Sequence, residues 1–242
     1  MTFFGPKQDS QIAQAKRMAE AGEKGTAIIT FYGALTRRRD WGKDLEEAAI
    51  MFISLAAEKR KDALIKDCLI QYRTNSQASN PQSLGIVIEH LLACAQNNMK
   101  EAEAKSVGIL NQIEDLDELE DSPEAIALGA VSGESSKNRA DLGIVAPALK
   151  FLWQTYRMIL DTIRTNYKLD TLYEKTAFAA FDFCVKYIRK REFHHLSEQL
   201  RLHVTKLMQL EGQQIITRIY LLEIPESIHR QLEIRLKQMD SA

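Results

Sequence analysis

Helix breakers are scarce in this sequence, with 11 glycines and 5 prolines in 242 residues. A fold of many short strands and tight turns needs more of both, and the wealth of Ala, Leu, Glu, Lys and Gln favours long helices. Cysteine is just as sparse. Cys68, Cys94 and Cys184 are odd in number and far apart, which argues against a disulfide framework, suits a reducing compartment and reads as small core residues. No apolar run approaches the roughly 20 residues that span a bilayer, and no signal-peptide pattern opens the chain, so the expectation is a cytoplasmic protein with no membrane partner. An excess of one charge is missing too, since 32 basic side chains face 33 acidic ones for a formal net charge of −1. No net field draws the whole chain to nucleic acid, and any such binding is local.

Catalytic constellations are also lacking. There is no phosphate-binding loop, nucleophile elbow, dinucleotide fingerprint or paired CxxC. His194, His195 and His203 lack the HExxH spacing of a zinc site. The acidic run Glu114 to Asp121 has no EF-hand glycine and alternates with Leu116 and Leu119 as a solvated helix face does. The sequence therefore predicts no enzyme, no metal and no cofactor.

What is present is helical periodicity. Leu149, Leu152, Trp153, Tyr156, Leu160 and Ile163 recur at three- and four-residue spacing in LKFLWQTYRMILDTIRTN, one broad stripe that a single helix cannot hide. Pro147 fits the first turn of that helix. Upstream, Asp9 or Ser10 is expected to cap a first helix carrying Ile12, Ala15, Met18 and Ala19. Gly22 and Gly25 break it, and a second helix runs from Thr26 to about Arg38 with Ile28, Ile29, Phe31, Tyr32 and Leu35. After Trp41-Gly42 the pattern repeats, with Leu45, Ala48, Ala49, Phe52, Ile53 and Ala56 before the charged turn Glu58 to Lys61, then Leu64, Ile65, Cys68, Leu69 and Tyr72. Ala27 and Ala63, 36 residues apart (27 to 63), take the same place after each turn, close to the ~34-residue period of tetratricopeptide pairs. Tyr187 to Leu196 reads as a third basic turn between apolar helices.

Further along, Asn75 to Ser83 reads as a loop, and one long helix is expected over Leu84 to Leu119 with a bend at Gly108. Gly129 to Gly143 is the most loop-like segment, helices follow over Lys168 to Lys190 and around Phe193 to Leu207, and Gln213 to Ile224 stays undecided. Pro225 opens a last helix with Ile228, Leu232, Leu236 and Met239. The expected architecture is all-α: a right-handed α-solenoid of tetratricopeptide-like hairpins with one long helix and no winged helix. Residues 1–121 form repeats ending in the long helix, residues 122–242 form further repeats, and the two make one continuous solenoid from a longer protein.

Basic clusters at helix ends are the candidate binding features. They comprise Lys16 and Arg17, Arg37 to Arg39, Lys59 to Lys61, and Arg189 to Arg191. Solvated helix ends and an RNA-facing edge are both open readings.

Five segments carry a family resemblance. LKFLWQTYRMILDTIRTN, PEAIALGAVSGE from Pro123, FCVKYIRKREFHHLSEQLRLH from Phe183, LEIRLKQMDSA from Leu232 and IEDLDELEDSPE from Ile113 together resemble the N-terminal region of the largest subunit of eukaryotic translation initiation factor 3. That resemblance implies a non-enzymatic scaffold whose helical-repeat arm leads into a winged helix, the two together forming a PCI domain. It implies the c subunit and other subunits of the factor as partners, together with small-subunit ribosomal proteins near the mRNA exit and mRNA or ribosomal RNA as further contacts. Lys16, Arg17, Arg37, Arg38, Arg39, Lys59, Arg60 and Lys61 become the ribosome- or RNA-facing candidates. The alternative is a PCI-type arm of a related assembly, the proteasome lid or the signalosome.

Overall fold

The structure, a computed structural model, describes residues 6–37, 41–105, 136–211 and 224–242. Nine α-helices and one 3-10 turn supply the regular structure of the described residues, with no strand among them. The helices are α1 (Pro6–Glu20), α2 (Lys24–Arg37), α3 (Lys43–Glu58), α4 (Asp62–Ser79), α5 (Pro81–Lys105), α6 (Ser136–Ile163), α7 (Asp170–Lys186), α8 (Lys190–Glu211) and α9 (Pro225–Asp240), with the 3-10 turn at Tyr167–Leu169. The all-α class matches the expectation from breaker scarcity and periodicity. Two compact units result, Met1–Cys94 and Ala95–Ala242, with the division inside α5.

In the first unit, small side chains line the helix faces. Ala27, Ala48, Ala49 and Ala56 are fully buried beside Phe31, Leu45, Phe52 and Ile53. Burial of such faces outweighs the weak intrinsic stability of helices this short. A hydrogen-bonded chain closes one end of the unit. The Trp41 indole N–H donates to Ser83 Oγ at 3.0 Å and to the Tyr72 hydroxyl at 3.2 Å, Tyr72 pairs with Ser83, and Ser83 donates to the Glu46 carboxylate. Every buried polar atom in that chain has a partner, as burial demands.

The second unit is built on larger rings. Leu149, Leu152, Trp153, Tyr156, Leu160 and Ile163 are all buried along α6. Trp153 stacks on Phe183 of α7 at 6.3 Å with 11° between planes. Tyr156 and Tyr187 meet the same Phe183 ring at 5.8 and 5.0 Å, both tilted, the geometries that aromatic quadrupoles favour.

Several boundaries differ from the sequence reading. The first helix begins at Pro6, so Asp9 and Ser10 lie inside α1 and do not cap it. The expected loop over Asn75 to Ser83 shrinks to Asn80, between α4 and α5. Asn80 is extended, φ −147° and ψ 87°, as the residue before a proline prefers, and Pro81 opens α5 where its missing N–H costs nothing. Pro147 sits within α6, not at its start. Buried Val145, Ala146, Ala148 and Leu149 on either side show packing overriding the lost backbone bond. The far end of the expected long helix, with Gly108 and the acidic run, lies outside the described residues, as do residues 129–135 and most of 213–224; the rest of the expected loop over Gly129 to Gly143 is instead helical, since α6 begins at Ser136.

The last helix is turned over relative to expectation. It seats on α7 through buried Ser227 and Ile234, with Ser227 Oγ donating to Asp170 at 2.7 Å and Arg230 donating to the same oxygen at 3.1 Å. Ile228, Leu232, Leu236 and Met239 are consequently exposed on the opposite side. A buried carboxylate at the start of α7 outcompetes the apolar stripe, because leaving Asp170 without donors costs more than exposing aliphatic surface.

Candidate functional site

Three hairpin turns share one backbone design. At the α1–α2 turn Gly22 N–H donates to Ala19 O and Glu23 N–H to Met18 O. At α3–α4 Arg60 N–H donates to Ala57 O and Lys61 N–H to Ala56 O. At α7–α8 Ile188 N–H donates to Val185 O and Arg189 N–H to Cys184 O. This is the paired bonding of a Schellman end, which satisfies the orphan carbonyls of the finishing helix and needs a left-handed residue. Gly22, Arg60 and Ile188 are those residues, at φ 87°, 51° and 55°. Glycine carries no penalty there, whereas a residue with a Cβ costs about 1–2 kcal/mol.

The residue after each left-handed position also begins the next helix. Glu23 O accepts from Ala27 N–H, Lys61 O from Ile65 N–H and Arg189 O from Phe193 N–H. The structural counterpart of Ala27 is therefore Ile65 and not Ala63. Gly22 and Arg60 lie 38 residues apart (22 to 60), so the repeat is longer than the 36 read from the alanines. Tyr187 to Leu196 is a true third copy of the turn.

The basic candidates divide between two edges of the first unit. Lys24 Nζ lies 2.7 Å from Glu58, so the start of α2 and the end of α3 share an edge. The Lys24 hydrogen bond holds the Glu58 carboxyl below the usual range. Exposed Lys59, Arg60 and Lys61 stand on that edge, and Arg17 lies in the last turn of α1, which ends at the neighbouring turn. Lys16 is engaged with Glu47 at 3.2 Å. Arg37 ends α2 at the other edge, 13 residues from Lys24, about 20 Å at 1.5 Å per residue. Arg38 and Arg39 lie outside the described residues.

The third basic cluster is not uniformly solvated. Arg189 and Glu192 are buried while Lys190 and Arg191 are exposed. Burial lowers the pKa of the Arg189 guanidinium, and the Glu192 carboxylate opposes that shift.

A groove of about 420 Å³ in the second unit is lined by Gln96, Met99, Leu152, Tyr156 and Phe183 among others. At its rim Glu103 accepts from Lys186 at 2.8 Å and from the Tyr187 hydroxyl at 2.7 Å. Burial alone pushes the Glu103 carboxyl up, but those two donors and the Lys186 charge together hold it below its ordinary value. The Tyr187 phenol is pushed up to about 12, chiefly by burial. Such a site can seat an apolar side chain and offers no activated base.

Cys94 and His90 meet at 3.5 Å, with Ser54 Oγ 2.7 Å from the same ring nitrogen. Desolvation raises the Cys94 thiol pKa, opposed by Ser54, so this pair does not generate the thiolate that nucleophilic chemistry requires. Cys68 and Cys184 are buried and pushed up to about 12 by burial. His194 and His195 are exposed. His203 is buried, 3.0 Å from the Tyr173 hydroxyl and 2.8 Å from Asp161. The three histidines do not converge, and no cluster that could hold a metal occurs among the described residues. No helix of the described residues is long and apolar enough to cross a membrane.

Comparison with known proteins agrees with this all-helical chain of hairpins. Residues 9–242 match the family model described as eIF3a, PCI domain, TPR-like region. The chain is 34% identical over 245 residues to the A subunit of eukaryotic translation initiation factor 3 from Neurospora crassa, covering 98% of this chain and 23% of that protein. It is 34% identical over 244 residues to the corresponding proteins of Danio rerio and Homo sapiens, covering 100% of this chain and 19% and 17% of theirs. The chain thus spans about a fifth of the length of these curated relatives.

Proposed function

The chain belongs to the eIF3a family, as its PCI, TPR-like region, and on that premise we propose that it is a non-catalytic scaffold segment of eukaryotic translation initiation factor 3 in the cytoplasm. It helps assemble the factor, with the c subunit and other subunits as partners, and docks it on the small ribosomal subunit for mRNA recruitment and pre-initiation complex formation. The observation that carries this reading is a family match over residues 9–242 of a chain whose described residues are helical and turn back in hairpins.

The ribosome- or RNA-facing surface is the basic edge of the first unit. Lys59, Arg60 and Lys61, together with Arg17 in the last turn of α1 and Lys16 before it, supply cations for ribosomal RNA, mRNA or acidic ribosomal proteins near the mRNA exit. Arg37, at the other edge, with Arg38 and Arg39 next in the sequence, is the second candidate. Phosphate contact through lysine and arginine releases counterions, so binding through either edge is strongly salt-dependent.

Charge reversal distinguishes the two edges. The full-length protein within its factor is titrated against small ribosomal subunits at several salt concentrations, with Lys59, Arg60 and Lys61 changed to Glu in one variant and Arg37 to Arg39 in another. Weaker binding and a shallower salt slope, at unchanged helicity, are expected from the edge that docks. Equal binding by both variants and the parent at physiological salt removes both edges from the interface.

A further inference from the structure

The joint between α6 and α7 differs from the three hairpin turns in drawing on a side chain. Asn166 N–H donates to Ile163 O, Leu169 N–H donates to Asn166 O, and Lys168 N–H donates to Asn166 Oδ1 at 3.2 Å. The amide nitrogen is left over. Asn166 is only 8% exposed, and its Nδ2 is buried without a hydrogen-bond partner among the described residues. Turning the amide over would set Nδ2 against the Lys168 N–H, donor against donor, so the joint itself holds the spare group in place.

Asn166 lines a cavity of about 10 Å³ whose walls also include Ile163 of α6, Asp170 and Tyr173 of α7, His203 of α8 and Gln231 of α9. Size narrows the occupant first, because this volume is about one water-sized sphere and leaves no room for a larger ion or an organic group. Polarity narrows it further. Asp170, Tyr173 and His203 are all buried, whereas cavities that stay dry are lined by apolar groups. The Asp170 carboxylate in the wall repels an anion, and the spare Asn166 group is a donor, which a bare cation cannot use.

Acceptors are at hand in the same wall. His203 Nε2 donates to the Asp161 carboxylate at 2.8 Å, so the neutral ring accepts the Tyr173 O–H at Nδ1, 3.0 Å away, and the Tyr173 oxygen keeps lone-pair capacity. Ser227 and Arg230 both donate to Oδ2 of Asp170, and a carboxylate has more acceptor sites than two donors fill.

We propose that this cavity is a binding site for one ordered water molecule, which accepts from Asn166 Nδ2 and donates to the Tyr173 hydroxyl oxygen and the Asp170 carboxylate. The water completes the hydrogen bonding of the α6–α7 joint and ties it to the start of α7, where α9 is seated. A buried donor left unmet is costly, and a bridging water supplies a bond nearly as favourable as a direct one. The site belongs to the second unit alone and holds whatever the chain docks on.

A crystal structure of the full chain that shows ordered water tests the site directly. A single water is expected at about 2.7–3.2 Å from Asn166 Nδ2 and within the same reach of Tyr173 or Asp170. An empty cavity, a peak heavier than water, or an Asn166 amide bonded directly to a protein acceptor overturns the proposal. Asn166→Leu, close in volume and without the amide, is expected to lose the water, and its retention there overturns Asn166 as the group that holds it. If that variant does not fold, the unmodified chain decides by NMR. A dipolar cross-peak between the Asn166 side-chain amide protons and water is expected, and its absence overturns the site.

Discussion

The two units form antiparallel helix pairs around different cores. In the first, fully buried alanines at 27, 48, 49 and 56 leave room between the helices for Phe31, Leu45, Phe52 and Ile53. In the second, Trp153, Tyr156 and Phe183 fill the space between α6 and α7 with rings. Helix pairing therefore tolerates either arrangement, but the two are vulnerable to opposite errors. A small-residue interface fails by overfilling, and a ring-filled one fails by emptying.

The largest effect tests the emptied side. Trp153→Ala should cost about 3–5 kcal/mol of stability by chemical denaturation, and a loss below about 1 kcal/mol would break the contrast. Overfilling comes next. Ala49→Leu should cost about 1–3 kcal/mol in the same measurement, although it adds apolar surface. Ser83→Ala sharpens the comparison from the polar side, since it deprives Glu46 of a donor and Trp41 and Tyr72 of a partner, at an expected cost of about 1–2 kcal/mol. Arg60→Gly runs the other way and should stabilise by about 1 kcal/mol, seen as a higher melting temperature, by removing a Cβ from a left-handed position.

The smallest effect is electrostatic and belongs to the second unit. Burial raises the Asp161 carboxyl, but the hydrogen bond and charge of His203, with help from Arg164, leave it below its ordinary value. A depressed carboxyl stabilises the fold at pH above its unfolded value, and that contribution is lost as pH falls through the folded value. Asp161 is largely exposed, so Asp161→Asn should cost only a few tenths of a kcal/mol at pH 7. The gap between variant and parent should close below about pH 4, a trend readable from denaturation curves at several pH values.

The helix faces were legible in the sequence because apolar spacing reports burial directly, and all six positions from Leu149 to Ile163 are buried. The charged turns at Glu58 to Lys61 and Tyr187 to Leu196 were legible as breaks between such faces. Their register was not, because the left-handed residues there are Arg60 and Ile188, and only a glycine announces that conformation. Pro147 and Asn80 misled for a related reason, since local propensity marks both as boundaries while tertiary packing decides how far a helix runs. The orientation of α9 depends on Asp170, 57 residues before Ser227 in the chain, and periodicity within one helix carries no record of such a partner. The α7–α8 turn was half visible. The sequence offered the basic residues 189–191 as one cluster, but the burial of Arg189 and the exposure of Val185 and Ile188 follow from the turn's backbone.

Glu23, Lys61 and Arg189 each donate to the helix that ends and accept from the helix that begins, so these joints contain no spare residue. Inserting one amino acid there would rotate everything downstream by about 100° about the helix axis and carry a sealed face toward water. Length variation among relatives of this chain is therefore expected to fall outside the three joints, which act as fixed rulers for the angle at which one helix hands over to the next.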